Sequence, residues 1–526
     1  VRPRTTRKAW RLRPPAGMRI LPAPEPSLAY ELPQASRTPG AHLPRMMTMH
    51  DRSSKLSDVR LLIDGQWQDG TEFVEVLDKY SLAPCARMHV ASQQQVQQAA
   101  AAAQAAFERS ELNAHDRGAI LDRAADLIER DSARFVDVIQ TEAGFPLADA
   151  QGELRRCVQT FRLSAEEARR LTGEMVPLEG APQAAGRFGF TIPVPLGVVC
   201  AITPFNAPVN TVAHKVAPAL AAGNAVIVKP SSSTPRSAVM IAAALIEAGL
   251  PKGMVSVLHG GAQVAHWLID EPVIRFFAFT GSTEVGRDIQ RRAGLRRTQM
   301  ELGSIAFTVL CADANLDAAI PKIVGAAYRK AGQVCTSIQT LLVARSRMAE
   351  VEERLKTAVQ ALASGDPRDP ATQVGPVISL AAAERIDRWI QHAVGQGARL
   401  IAGGPRQGAV VPPTLLADVA RDCEVSCQEV FGPVMSLESF DHIDEAIVRV
   451  NSTPFGLATG VFTNRLDDAM KAVRRLQVGG VHINETSSSR VDLMPYGGSK
   501  DSGFGREGPK YAVHEMCEMR MVSWTV

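Results

Sequence analysis

From Leu196 to Gly294 the chain alternates short, wholly apolar runs with helix-patterned segments, and few folds accept that rhythm. The apolar runs are LGVVCAI, AVIVK, MVSVLHG and IRFFAFT; between and after them come PVNTVAHKVAPALAAGN, PRSAVMIAAALIEAGL and GSTEVGRDIQRRAG. A strand with one face in water alternates apolar and polar residues. A continuously apolar strand has both faces covered, which crossover helices on the two sides of a parallel sheet provide. A second series, from about Phe307 to Arg490, repeats the logic with FTVLCA, TLLVA, GVFTN and GGVHIN, without an internal repeat of fixed period. The expected class is therefore α/β, with two doubly wound parallel-sheet lobes.

The flanks add smaller parts. LLIDGQWQDG reads as a strand, a tight turn at Asp64-Gly65 and a second strand. QQVQQAAAAAQAAFERS, AILDRAADLIERDSARFVDVIQTEAG and the span from about Asp149 to Leu171 carry helical spacing, with Gly144 closing the second. VPLEGAPQAAGRFGFTIPVP is expected to form a β-hairpin arm, and MCEMRMVSWTV a terminal strand. The first fifty-odd residues differ from everything after them. Seven basic residues precede the first acid there, prolines are frequent, and the apolar core of a secretory signal is missing. Prolines also work against the amphipathic helix of a mitochondrial presequence. Residues 1–58 are expected to be a disordered extension, with the real start near Met47 or Met49 and ordered sequence from near Leu61.

Several function classes fall away. A net charge of +3, evenly spread, does not suit a nucleic-acid surface. No apolar run reaches the roughly 18 to 20 residues that cross a bilayer. The eight cysteines include no CxxC, and the pair Cys423/Cys427 lacks a second half with zinc spacing, so no metal site is expected. Free thiols in a reducing, cytoplasmic compartment are the expectation.

Five stretches carry candidate chemistry, each with a bland reading beside it. FTGSTEVG delivers a strand into a Gly-rich turn and a helix start, where backbone N–H groups and the helix end suit a phosphate; Gly281 and Gly286 permit close approach and Ser282 can donate. Ordinary strand–helix loops look the same. In VKPSSSTP, Lys229 stands at the carboxyl end of an apolar strand, where open α/β sheets bind ligands, or is simply solvated. Asn206, in ITPFNAPVNTVAHK, either points an amide at an oxyanion or caps a helix. Glu301, in QMELGS, is either a general base toward water or a surface carboxylate. Glu429, in CQEVFGPV, precedes a turn that can aim a carboxylate at a ribose hydroxyl. With them stands Cys335, set among small and polar residues in YRKAGQVCTSIQT: an inert core thiol or a nucleophile.

Together TPFNAP, VKPSSSTP, FTGSTEVG, ELGS, GQVCTS, EVFGPV and MPYGGSKDSGFGREG resemble the NAD(P)-dependent aldehyde dehydrogenase superfamily, from Leu61 to the C-terminus. The resemblance implies a Rossmann-like cofactor domain over 59–176 and 196–303, a catalytic domain over 304–511, and a small β oligomerisation arm from 177–195 and 512–526. It implies NAD or NADP as cofactor and a homodimer or homotetramer. Cys335 then matches the catalytic nucleophile, Asn206 the oxyanion-holding amide and Glu301 the general base. Lys229 matches the lysine at the adenosine ribose, with Ser232 beside it, and Ser282 the pyrophosphate-binding serine. Glu429 matches the carboxylate on the nicotinamide ribose, and Phe431 the aromatic beside that ring. The implied reaction takes an aldehyde to its acid through a thiohemiacetal and a thioester that water hydrolyses. A coenzyme A-acylating member, a reductive member working from an acyl phosphate, and a non-catalytic binding member are alternatives. Glu301 argues against the first two, and Cys335, Glu301 and Asn206 together argue against the third.

Three departures stand out. Ser304 replaces the glycine usual after ELG, and Ala207 replaces a bulky residue, which widens the tunnel. Ser232 replaces a frequent acid that repels a 2′-phosphate, leaving NADP open. Ala207, Thr211 and His214 follow one helix face at i, i+4, i+7, the face that lines the family's substrate tunnel, so His214 is either a substrate contact or a structural histidine within packed helices. Arg490, just before MPYGG, resembles the branch acting on lactaldehyde, glyceraldehyde 3-phosphate, phosphonoacetaldehyde and sulfoacetaldehyde. Arg490 either reads an anionic or hydroxylated short aldehyde or is an ordinary exposed or salt-bridged arginine; Val334, where some phosphonate-specific members have arginine, counts against phosphonoacetaldehyde.

Overall fold

The computed structural model describes residues 56–526, so the expectations for residues 1–46 and for a start at Met47 or Met49 lie outside the described residues. Described sequence is in a sheet earlier than Leu61: Ser57–Val59 is a strand that pairs with Ala86–Met88, moving the expected boundary at residue 58.

One eight-stranded sheet runs in the order Gly503–Phe504, Arg297–Glu301, Ile274–Thr280, Val198–Ile202, Ala225–Lys229, Val255–Val257, Leu61–Ile63, Gln66–Gln68. Its five central strands are parallel. The chain winds outward from Val198–Ile202 in one direction, then returns to the other side at Ile274–Thr280. The crevice at the carboxyl ends of these two neighbours is the place where such sheets take ligands. Phe276 and Phe277 point to opposite faces of the sheet and are 1% and 0% exposed, so both faces are covered, as the unbroken apolar runs require. Fully burying side chains of this size contributes roughly 1.5–3 kcal/mol each.

A second sheet of seven strands runs in the order Arg399–Ala402, Thr414–Ala417, Val434–Phe440, Ile338–Ala344, Ala306–Leu310, Ala458–Phe462, Gly480–Ile483, parallel apart from its Arg399–Ala402 edge. The fold is thus α/β with two wound lobes.

Three details depart from expectation. The helical stretch ending at Gly144 is two helices, Ala114–Arg130 and Ser132–Ala143, broken at Asp131. The arm is a three-stranded sheet that joins the two segments expected in it, Arg187–Pro195 pairing along its length with Cys517–Thr525, while the local hairpin with Met175–Val176 is only two residues long. Gly503–Phe504 pairs antiparallel with Met300–Glu301, which adds this segment, expected in the second lobe, to the first sheet. No described helix is long and apolar enough to cross a membrane.

Candidate active site

A cavity of about 700 Å³ opens at the carboxyl ends of the first sheet and is closed on its other side by the second lobe. Cys335, Glu301, Asn206, Lys229, Ser232, Gly281, Ser282, Glu429 and Phe431 all line it.

The placement of Cys335 starts from an unusual backbone. Helix Leu316–Tyr328 ends, and Lys330, Ala331 and Gly332 take φ of 52°, 52° and 70° before strand Ile338–Ala344 begins. Left-handed backbone at two residues that carry a Cβ is strained and persists only where the surroundings hold it. They do: Lys330 Nζ donates to Glu153 at 2.6 Å and lies 4.6 Å from the Phe145 ring centre, and Lys330 N donates to Asp149 at 2.8 Å. Gly332 is obligatory for a second reason, since a Cβ there would lie 2.0 Å from the Gly432 carbonyl oxygen. The sharp turn delivers Cys335 to the cavity wall with Sγ 2.7 Å from Tyr496 Oη. Burial, with Glu301 and Glu429 nearby, pushes the thiol up to about 11 against the opposing pull of Tyr496 and Arg490. The resting group is therefore a thiol.

Glu301 ends its strand 3% exposed, and neither carboxyl oxygen has a hydrogen-bond partner among the described residues. Burial first, and then the Glu507 carboxylate, raise its pKa well above the ordinary range; Lys215, Arg490 and Arg506 pull the other way. Glu507 is the group held ionised, by Lys215 at 3.1 Å and Arg490 at 2.9 Å. Gly497 leaves room for Glu301, because a Cβ there would lie 2.9 Å from Oε1. A buried carboxyl without partners is costly as structure, which fits a group poised to exchange a proton.

Asn206 is not a helix cap. The next helix, Asn210–Ala222, starts four residues later with Val209 at its N-cap, and the Asn206 carbonyl is fixed by Lys330 Nζ at 3.2 Å.

On the cofactor side, Lys229 is 8% exposed and its ammonium finds only the Pro230 carbonyl at 3.4 Å; among the described residues no carboxylate pairs with it. Burial lowers it to about 8. An unpaired buried cation facing a cavity suits an anionic or hydroxyl-rich ligand. Ser232 Oγ donates to the Gly260 carbonyl at 3.2 Å. Ser282 caps helix Thr283–Ala293 at the cavity rim, accepting from Val285 N. Glu429 Oε1 accepts from Ser304 N at 2.9 Å, and burial raises its carboxyl to about 7. Phe431, at φ 49°, sets its ring edge-on to Phe205 with centres 5.8 Å apart. Gly286 is the exception: it does not line the cavity. A Cβ there would meet Leu302 Cδ2 at 2.4 Å, so this glycine lets the helix pack on the strand end.

On the substrate side Ala207 and Thr211 line the cavity, and His214 does not. His214 is 1% exposed, with Nε2 2.9 Å from Asp492 Oδ1 and 3.2 Å from Arg490 Nη2, one layer behind the wall. Arg490 reaches the wall with its guanidinium partly engaged. Its Nη2 donates to Glu507 at 2.9 Å and the group lies 3.8 Å from the Tyr496 ring centre, while Nε is buried with no partner among the described residues. The pairing with Glu507 matches the salt-bridged alternative for this residue, and the partnerless Nε leaves one donor of the group unengaged. The sequence reading missed Arg329. It lines the cavity, donates to Ser488 Oγ at 2.7 Å, and has no carboxylate partner among the described residues. Arg156, from helix Leu147–Arg170, also lines the cavity but is paired with Asp492 at 2.7 Å. Arg329 was visible in YRKAGQVCTS; what the sequence did not show is the Ser488 hydroxyl that holds its guanidinium at the wall.

The aldehyde dehydrogenase family model matches residues 67–522. The 3-sulfolactaldehyde dehydrogenase of Priestia aryabhattai is 44% identical over 463 residues, covering 88% of this chain and 97% of its own. The structure of aldehyde dehydrogenase 21 from Physcomitrella patens, in complex with the reaction product succinate, superposes with a TM-score of 0.87 at 34% identity, covering 90% of this chain and 99% of that one. A glyceraldehyde-3-phosphate dehydrogenase from Methanocaldococcus jannaschii, complexed with NADP, gives 0.83 at 33% identity, covering 86% and 99%.

Proposed function

The chain belongs to the aldehyde dehydrogenase family, and from that premise we propose that it oxidises a short aldehyde bearing an anionic group to the carboxylic acid. The cofactor is NAD or NADP. The observation that carries the site assignment is that Cys335, Glu301 and Asn206 share one cavity with the unpaired Lys229 and with Glu429.

In the proposed sequence, Cys335 passes its thiol proton to water in the cavity and its sulfur bonds to the aldehyde carbon. The Asn206 amide and the Cys335 N–H hold the oxyanion that forms. The nicotinamide cofactor, when bound, accepts the hydride released from that carbon. Lys229 and Ser232 would hold its adenosine ribose, Ser282 its pyrophosphate, and Glu429 and Phe431 its nicotinamide ribose and ring. Glu301 then takes a proton from water, the water oxygen adds to the thioester, and the carbon–sulfur bond breaks to release the acid.

Arg329 supports the anionic substrate, as do the sulfonate in the name of the Priestia relative and the succinate in the moss structure. A charge-assisted hydrogen bond of this kind contributes roughly 1.5–3 kcal/mol. Arg329→Leu should raise KM for an anionic short aldehyde about ten- to a hundredfold and spare a neutral aldehyde of equal length. Lysine should rescue part of the loss, lacking the planar fork. Steady-state rates on both aldehydes decide it: equal losses would mean that Arg329 only supports the Cys335 turn.

Ser232 supports tolerance of a 2′-phosphate. Ser232→Glu should weaken NADP far more than NAD, read by titrating both cofactors against protein fluorescence; the idea fails if both affinities move together.

The arm leaves Met175, Phe188, Met519 and Trp524 at 62%, 46%, 48% and 66% exposure, which supports burial against a second copy in a homodimer or homotetramer. The described cysteines are free thiols, which supports a cytoplasmic setting.

A further inference from the structure

We infer that Tyr496 is a catalytic residue of this site: its hydroxyl donates a hydrogen bond to Cys335 Sγ and stabilises the sulfur as thiolate, before attack and again as the acid leaves. The inference rests on the reading of Cys335 as the nucleophile and goes beyond it.

The geometry comes first. Tyr496 Oη is 2.7 Å from Sγ, the shortest polar contact the sulfur makes with the described residues. The ring is held on its face by Arg490, whose guanidinium carbon lies 3.8 Å from the ring centre, and Arg490 is held by Glu507 at 2.9 Å. Glu507 in turn is anchored by Lys215. The hydroxyl is thus a placed donor, and a cation on the π face withdraws density from the phenol and strengthens it as a donor.

The direction of the bond follows from the chemistry of the pair. In the resting protein either atom can donate. A thiolate only accepts, so once the thiol proton has left, the phenol must donate. Tyr496 keeps its own proton, because burial and the neighbouring Cys335 hold the phenol well above its ordinary range. The other charged groups around the sulfur come from separate elements. Glu301 ends its strand, Glu429 follows the helix Glu424–Cys427, Arg329 precedes the left-handed turn, and Arg490 stacks behind the ring. The two carboxylates oppose the thiolate. Arg329 and Arg490 favour it from a distance, and Tyr496 touches it.

When sulfur bonds to the aldehyde carbon its negative charge passes to the oxygen, and the hydrogen bond weakens. When the carbon–sulfur bond breaks after hydrolysis, the charge returns to sulfur and the bond re-forms. The residue therefore acts at both ends of the cycle and is idle in the middle.

The test measures alkylation of Cys335 by iodoacetamide across pH, followed by mass spectrometry of the Cys335 peptide, in the parent and in Tyr496→Phe. Loss of a hydrogen bond to a charged group predicts a midpoint shifted up by about one to two pH units, and alkylation at neutral pH slowed about ten- to a hundredfold. Aldehyde kcat/KM should fall by a similar factor while cofactor affinity stays put. A second variant guards against a folding defect: 3-fluorotyrosine at position 496 keeps the shape and makes a stronger donor, so the midpoint should shift down. Opposite shifts in the two variants support the inference. An unchanged alkylation profile in Tyr496→Phe, or equal shifts in both, overturns it. Turnover that survives in Cys335→Ala is a different result, and it would overturn the underlying reading instead.

Discussion

Replacing Cys335 with alanine should abolish aldehyde oxidation and leave cofactor binding largely intact. As thiolate the sulfur is a strong nucleophile and a good leaving group, able to make and later break a bond to the aldehyde carbon, and alanine offers nothing in its place. Loss of a nucleophile that works as one unit with its base typically costs about 10⁴ or more in kcat. The fold should survive. Cys335 is partly open to the cavity, and its side chain gives up one hydrogen bond, to Tyr496, worth about 1 kcal/mol. Lys229, Ser282 and Glu429 stand on other elements, so cofactor affinity, read by fluorescence titration, should change less than about threefold. Formation of reduced cofactor with a panel of short aldehydes measures the other half. Substantial turnover by the purified variant would end the assignment.

Much of this was legible in the chain, and for a physical reason. Strand–helix alternation is written locally, residue by residue, so the two wound lobes follow from apolar runs such as VVCAI and AVIVK. The seats of Cys335, Glu301, Asn206, Lys229 and Glu429 come at strand ends and tight turns, where sequence signals are concentrated. What stayed hidden depends on partners far away in sequence. Gly286 looks like a phosphate-loop glycine until Leu302 is seen against it. Whether Arg490 is free or salt-bridged is decided only when Glu507 is seen paired with it and Tyr496 stacked on it. His214 keeps the spacing of a tunnel residue, yet Asp492, nearly three hundred positions later, holds it behind the wall. Arg329 is the reverse case, an unremarked arginine held at the cavity wall by Ser488, 159 positions later. The arm's pairing between Arg187–Pro195 and a strand at the other end of the chain leaves no local signature, and only the family resemblance led to expecting it.

The second large effect concerns water. Glu301→Gln should slow the overall reaction by about 10² to 10⁴, because an amide cannot take the proton that water must lose as it attacks the thioester. The substitution is nearly isosteric, and among the described residues it breaks no hydrogen bond, since neither Glu301 oxygen has a partner there. It also removes a carboxyl that burial and Glu507 both disfavour as a charge, so folding is not expected to suffer. Acylation should outlast deacylation in the variant, giving a burst of reduced cofactor followed by slow turnover. Mass spectrometry of the quenched protein should then find the acyl group on Cys335. The pH dependence separates this role from a structural one. Glu301 works only when ionised, and its pKa is raised, so parent deacylation should fall away as pH drops through a value above the ordinary carboxylate range. In Glu301→Gln that limb should vanish and leave a flat, low rate. A steady-state rate equal to the parent's, or an unchanged acid limb, would mean that another group activates the water. Glu429, raised to about 7 by burial and lining the same cavity, would be the next residue to replace.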